Sequence, residues 1–295
     1  MKSSTEPKPA PGVAMDNRLQ WVEEKMYRLC AEPGRRGDIF LTALDGHLRA
    51  GGQRARAQIC LSCADKLGLS ESDSVALAAS VELLHNASLI QDDLQDKARL
   101  RRGAPTVWSK YGVDCAIGLT DLTIAAAFRA LVEISNSRAI PGLIEHLYRA
   151  ISVTMRGQSD DLGGSAANLE RALSIARRKS GPLFALALEL PLHLGGRHEF
   201  LKRACEAAEA FGLGYQIYDD IVDVGEDRAS KSQNNIVVAL EYGLPPEKAL
   251  ESARLLARQH LKASTSIALE LVDGCGQALA DLATQIGNRL NAHFK

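Results

Sequence analysis

An excess of either charge is missing from this chain of 295 residues: 35 Lys and Arg stand against 36 Asp and Glu, a formal net charge of −1. Proteins that bind nucleic acid or membrane surfaces normally carry a basic excess, so the balance argues against both. Long apolar runs are missing too. None reaches the eighteen or so residues a membrane span requires, and Glu189, Pro191 and His193 interrupt the best candidate. Cysteine is sparse: six residues, irregularly spaced, make no disulfide framework in a chain of this length. Free thiols and a cytoplasmic location are therefore expected. Cys60 and Cys63 form a lone Cys-x-x-Cys with no second pair, which reads as core packing rather than zinc binding. The first residues, Met1 to Met15, hold Pro7, Pro9 and Pro11 but no apolar segment. Residues 1–16 are expected to be a disordered tail, not a secretory signal.

What the chain does have is core material. It is 46% hydrophobic, 24% charged and only 5% aromatic, a globular composition that excludes wholesale disorder. Alternating β-branched runs are few, and apolar residues recur instead at three- and four-residue spacing. This spacing predicts helices near 17–30, 38–49, 54–67, 73–97, 114–135, 140–161, 168–190, 198–225, 247–270 and 276–293. Gly and Pro punctuate them at Gly51-Gly52, Gly103 to Pro105, Gly163-Gly164, Gly195-Gly196 and Pro245-Pro246. The fold class expected is all-α: a single domain over 17–295, of about ten helices around a central cavity.

One short pattern occurs twice near the ends of long apolar helices: Asp92-Asp93-Leu94-Gln95-Asp96 and Asp219-Asp220-Ile221-Val222-Asp223. On a helix, Asp92 and Asp96 lie one turn apart on one side, with Asp93 turned away, and the second cluster repeats this. Three carboxylates in five residues repel one another, and neither cluster contains a Lys or Arg. Cations would relieve the repulsion. Carboxylate oxygens suit Mg²⁺, which takes one or two per ion and completes its shell with water and phosphate. Two facing clusters would thus hold several Mg²⁺ ions with a diphosphate between them. Neither has the alternating ligands and central Gly of a calcium loop.

Basic residues fall where a polyanion would need them. Arg101-Arg102-Gly103 follows the first cluster, and Arg offers bidentate hydrogen bonds to phosphate. Gly51-Gly52-Gln53-Arg54-Ala55-Arg56 opens another helix, whose N-terminal amides also favour anions. Lys179-Ser180 and Lys231 are further candidates.

The run from His85 to Asp96 with Leu100-Arg101-Arg102-Gly103, then Gly157-Gln158, Asp161-Leu162, Lys179-Ser180 and Gly212 to Asp223, resembles the trans-isoprenyl diphosphate synthases, the polyprenyl synthetase family. It looks closest to geranylgeranyl diphosphate synthases. The resemblance implies a homodimeric prenyltransferase that joins isopentenyl diphosphate to an allylic diphosphate. It implies about three Mg²⁺ ions on Asp92, Asp96 and Asp219, assisted by Asp93, Asp220 and Asp223. Arg101, Lys179, Ser180, Gln216 and Lys231 would hold the allylic diphosphate and stabilise its charge as the carbon–oxygen bond ionises. Isopentenyl diphosphate would sit on Gln53, Arg56, His85 and Arg102. Ala87 and Ser88, one turn before Asp92, are small where aromatic residues would stop growth at farnesyl length, so geranylgeranyl length or beyond is expected. Leu84 and Val81, further down that face, would form the stop. The Ala-rich 114–135 helix is the expected dimer interface.

The chain departs from the family pattern Gly-Gly-Lys-Arg-x-Arg-Pro at Gln53 and Ala57, and later at Ser230 and at Asn235-Ile236, where Asp-Leu is common. A charged hydrogen bond is worth roughly 1.5–3 kcal/mol, so Gln53 would weaken isopentenyl diphosphate binding. Two rivals stand beside this reading, the first motivated by Gln53. One is a terpene synthase-like enzyme that ionises an allylic diphosphate without isopentenyl diphosphate. The other is a non-catalytic regulatory subunit of a partner synthase.

Overall fold

The computed structural model describes residues 15–162, 168–225, 228 and 235–292. Lys231, Ser230 and residues 1–14 of the expected tail lie outside the described residues. Among those described there are twelve α-helices and one two-stranded hairpin, so the chain is all-α. The chain falls into two compact units. One takes the residues up to Gln58 together with Leu69–Ser135; the other takes Ile59–Gly68 and everything from Asn136 onward.

The first unit is built on α4 (Glu71–Gln95). Every residue from Asp73 to Leu84 is buried, so this helix is covered on all sides, as its nearly unbroken apolar sequence requires. Ser70 starts it by accepting the Asp73 N–H at 3.1 Å. Helices α1 (Met15–Cys30) and α6 (Val113–Leu131) pack along α4, and α2 (Ile39–Arg49) and the five-residue α5 (Val107–Tyr111) close the layer. Helix α3 (Ala55–Lys66) begins in this unit.

Strands β1 (Leu100–Arg101) and β2 (Ala104–Pro105) follow α4 as an antiparallel hairpin. The sequence pattern does not announce it. Its two turn residues, Arg102 and Gly103, have φ of +52° and +77°, as a type I′ hairpin turn demands. Arginine rarely fills the first of these positions, and the conformation costs of the order of 1–3 kcal/mol.

The second unit stacks α7 (Ile140–Leu162), α8 (Leu169–Leu194) and α9 (Leu201–Val222) side by side. Then α10 (Ile236–Glu241), α11 (Pro246–Ala268) and α12 (Gln277–Ala292) complete it, with α11 lying along α9. The α8–α9 contact is made by Phe184 and Phe211, edge to face at 4.6 Å between ring centroids. Helix α8 runs four residues past its expected end at 190, through Pro191. An interior proline costs about 3 kcal/mol. Burial of Leu188, Leu190 and Leu192, each at 0% exposure, contributes about 1.5–3 kcal/mol apiece and outweighs it. No helix among the described residues is long and apolar enough to cross a membrane.

Candidate active site

The two acidic clusters sit at helix C-termini. Asp92 lies in the last turn of α4 and exposed Asp96 is its C-cap, donating its backbone N–H to the Asp92 carbonyl at 2.8 Å. The helix ends in a Schellman pattern: Ala98 N–H reaches the Asp93 carbonyl at 2.9 Å, and Lys97 takes the left-handed φ of +55°. Likewise Asp219 lies in the last turn of α9 and Asp223 is its C-cap. Helix dipoles put partial negative charge at such ends, which favours Lys, Arg or His. Neither α4 nor α9 has a basic residue in its last turn. Each instead adds carboxylates where the field already repels them. All-oxygen donors suit a hard divalent cation, but among the described residues no group of three or more His, Cys, Asp or Glu is gathered so as to hold one.

The middle carboxylate of each cluster is buried and bonded within the protein. Asp93 is 2% exposed, and Arg101 from β1 grips it with Nε at 2.9 and 3.0 Å and Nη2 at 2.9 Å. Asp220, also buried, accepts from the Gln216 amide at 3.0 Å and from the Ile236 N–H at 2.8 Å. Gln216 in turn accepts from the Ser180 hydroxyl at 3.1 Å, so α8, α9 and α10 are joined at one point. Asn235 caps α10 by accepting from Val237 and Val238, while its Nδ2 donates to the Asp220 carbonyl at 2.8 Å. An aspartate has no such donor. The Asn235 departure thus strengthens the seat of the second cluster.

Glycines allow this convergence in the second unit. A Cβ on Gly157 of α7 would come within 3.0 Å of the Arg178 backbone, and one on Gly212 of α9 within 2.6 Å of the Gly181 nitrogen. The stretch 178–181 of α8 is therefore held from both sides, and it carries Lys179 and Ser180. Lys179 pairs with Asp161 of α7, and Arg178 with Asp160 at 2.6 Å.

In the first unit, arginines gather around the loop that enters α3. Gly51 and Gly52 adopt φ of +97° and +140°, and Arg54 φ of +50°. A Cβ on Gly52 would lie 2.6 Å from Arg102 Nη1 and 2.8 Å from Arg54 Nη1, so only glycine lets both guanidinia approach. Arg102 donates to the Gly51 carbonyl. Arg54 donates to the Leu48 carbonyl at 2.9 Å and to Glu23 of α1 at 2.8 Å. Gln53 is exposed at the tip of this loop. Arg56 Nη1 lies 3.0 Å from His85 Nε2. A guanidinium only donates, so that nitrogen accepts and the imidazole is neutral. Burial, and then Arg56 and Arg102, hold the His85 pKa well below its ordinary value.

His47 was not singled out by the sequence, yet it belongs here. Its Nε2 lies 3.1 Å from Asn86 Oδ1. The Asn86 amide donates to the Glu82 carbonyl at 2.7 Å, which fixes its orientation and makes His47 Nε2 the donor. Burial first, and then Arg101, pull the His47 pKa down to about 4. The signal that could have found these residues is spacing: Glu82, His85 and Asn86 fall on one side of α4. Of the expected chain-length residues, Ala87, Leu84 and Val81 are buried, and the half-buried Ser88 donates its hydroxyl to the His85 carbonyl at 2.8 Å.

Comparison with known proteins shows which family the chain belongs to. Residues 38–237 match the family described as polyprenyl synthetase. Geranylgeranyl pyrophosphate synthase 11, chloroplastic, of Arabidopsis thaliana is 31% identical over 263 aligned residues, covering 83% of this chain and 73% of that protein. A probable farnesyl diphosphate synthase of Bradyrhizobium diazoefficiens is 30% identical over 305 aligned residues, covering 96% and 88%. Among solved structures, the geranylgeranyl pyrophosphate synthetase of the archaeon Geoglobus acetivorans superposes with a TM-score of 0.82 at 26% identity, over 93% of this chain and 99% of that one. Two acidic helix ends, an arginine-lined glycine loop and relatives of this kind lead to one conclusion: the chain belongs to the polyprenyl synthetase family and is a trans-prenyltransferase.

Proposed function

We propose that this enzyme condenses isopentenyl diphosphate with an allylic diphosphate in a Mg²⁺-dependent reaction, and that its product is geranylgeranyl diphosphate or longer. The observation that carries the reading is the pair of carboxylate clusters at two helix C-termini that lack any basic residue. Asp92 and Asp96 of the first cluster, and Asp219 and Asp223 of the second, are the residues proposed to hold metal. When bound, Mg²⁺ neutralises diphosphate charge and draws electrons from the breaking carbon–oxygen bond. Asp93 and Asp220 hold the clusters in place through Arg101 and through Gln216. Lys179 and Gln216 bind the leaving diphosphate, and Lys231 is assigned to the same task by its sequence position.

Arg56, Arg102 and the neutral His85 would receive isopentenyl diphosphate, with Gln53 offering an amide where the family has a lysine. Small Ala87 and Ser88 leave room for a growing chain, with Leu84 below them. The relatives favour condensation over ionisation alone and over a subunit without turnover. None of the six cysteines forms a disulfide, which suits a reducing cytoplasm, and a homodimer through α6 completes the reading.

The test is a product assay on purified protein with Mg²⁺ and dimethylallyl, geranyl or farnesyl diphosphate, each with and without isopentenyl diphosphate. Longer diphosphates that form only when both substrates are present are expected. Hydrocarbons or alcohols formed without isopentenyl diphosphate would overturn the assignment, as would no turnover.

A further inference from the structure

Helix α3 has an unusual start. Arg54 is its N-cap: its carbonyl accepts the Gln58 N–H at 3.0 Å, and its side chain has no acceptor to offer the helix. The missing acceptor comes from another helix. Glu82 of α4 is 1% exposed, and its Oε1 accepts the N–H of Ala57, third residue of α3, at 3.0 Å. That is the bond an N-cap side chain normally makes. One turn further along α4 is His85, which meets Arg56, the residue next to Ala57.

We propose that Glu82 is a positioning residue of the anion site: its buried carboxyl group caps the first turn of α3 through Ala57 N–H and thereby fixes Arg56 against His85. The role assigned to the site rests on the proposed reading that isopentenyl diphosphate binds there. The capping bond gives meaning to a departure in the sequence. Where the family pattern has Pro, this chain has Ala57, and a proline has no N–H to donate. Here that N–H is the donor that Glu82 captures. Arg54 is tied separately, to Glu23 and to the Leu48 carbonyl, so the cap acts on Arg56. Glu82 is 1% exposed and belongs to neither acidic cluster.

The experiment compares wild type with Glu82→Gln, Glu82→Leu, Ala57→Pro and the Glu82→Leu/Ala57→Pro double variant. The affinity for inorganic pyrophosphate in EDTA is measured by titration calorimetry, alongside KM for each substrate and the thermal midpoint. Glu82→Gln keeps an acceptor oxygen and should bind as wild type does. Glu82→Leu and Ala57→Pro should each weaken pyrophosphate binding and raise KM for isopentenyl diphosphate by about tenfold, with KM for the allylic substrate unchanged. The double variant should be no worse than either single one. Unchanged pyrophosphate binding in a folded Glu82→Leu or Ala57→Pro protein overturns the proposal, as does an equal rise in both KM values. Should Glu82→Leu not fold, Ala57→Pro decides alone. A wild type that binds pyrophosphate through the cap but never elongates would overturn the proposed reaction and leave the role of Glu82 standing.

Discussion

Replacing Arg101 by Met should cost this protein about 3 kcal/mol of folding stability. Arg101 is the ion partner of Asp93, whose carboxylate is 2% exposed and is approached by two guanidinium nitrogens at 2.9–3.0 Å. The pair itself contributes little net stability, because desolvation offsets most of the attraction. Removing one member is different, because it leaves an uncompensated buried charge, at a typical cost of about 3–5 kcal/mol. The Arg101 side chain is 28% exposed, so water can partly solvate the site, and the lower end of that range applies. Urea unfolding measures it. Asp93→Leu combined with Arg101→Met removes both charges and should recover most of the loss, giving a coupling energy of at least about 2 kcal/mol. A loss below about 1 kcal/mol for Arg101→Met alone, or additive effects in the double variant, would refute the reasoning.

Further outcomes follow from other parts of the structure. His47 is held neutral with a folded pKa of about 4 against an ordinary 6.5, so the unfolded chain binds its proton first as pH falls. Stability should therefore drop from about pH 6.5 toward pH 4, and His47→Gln should remove about one proton, or about 1.4 kcal/mol per pH unit, from the slope of a urea series. Asn235→Asp keeps the cap of α10 but loses the donor to the Asp220 carbonyl and adds charge beside a buried carboxylate. It should cost about 2 kcal/mol and reduce allylic turnover, checked by unfolding and by pyrophosphate release. Ala87→Phe should shorten the product as read by mass spectrometry, and an unchanged product distribution would remove Ala87 from the chain-length assignment.

The long helices were legible because their apolar spacing runs for several turns between Gly and Pro breaks. Boundaries shifted by a few residues: α4 was expected at 73–97 and spans Glu71–Gln95. Two helices escaped because they are too short for any period to show, at five residues in Val107–Tyr111 and six in Ile236–Glu241. The hairpin escaped because Arg102-Gly103 is not a common pair for its turn. In the site, the repeated carboxylates could be anticipated from spacing, whereas Arg56 and His85 were brought together only by the resemblance to the family. That Asp93 and Asp220 are the buried members of their clusters could not be told from the sequence, since residue type does not report burial. Spacing puts Glu82 on the same side of α4 as His85, but its bond to Ala57 of α3, like the contact of His47 with Asn86, joins two helices and shows only once the chain is folded.

The glycines at 157, 181 and 212 have a bearing on how this sequence can change over time. Where one backbone rests directly on another, no side chain stands between them to be trimmed or enlarged in compensation. A helix gripped in this way cannot gain or lose a residue without rotating Lys179 and Ser180 out of place. Insertions and deletions in this lineage should thus collect in the connections before α8 and after α9. The register of 157–162, 178–181 and 212–216 should stay intact even in distant descendants that have traded most of their other side chains.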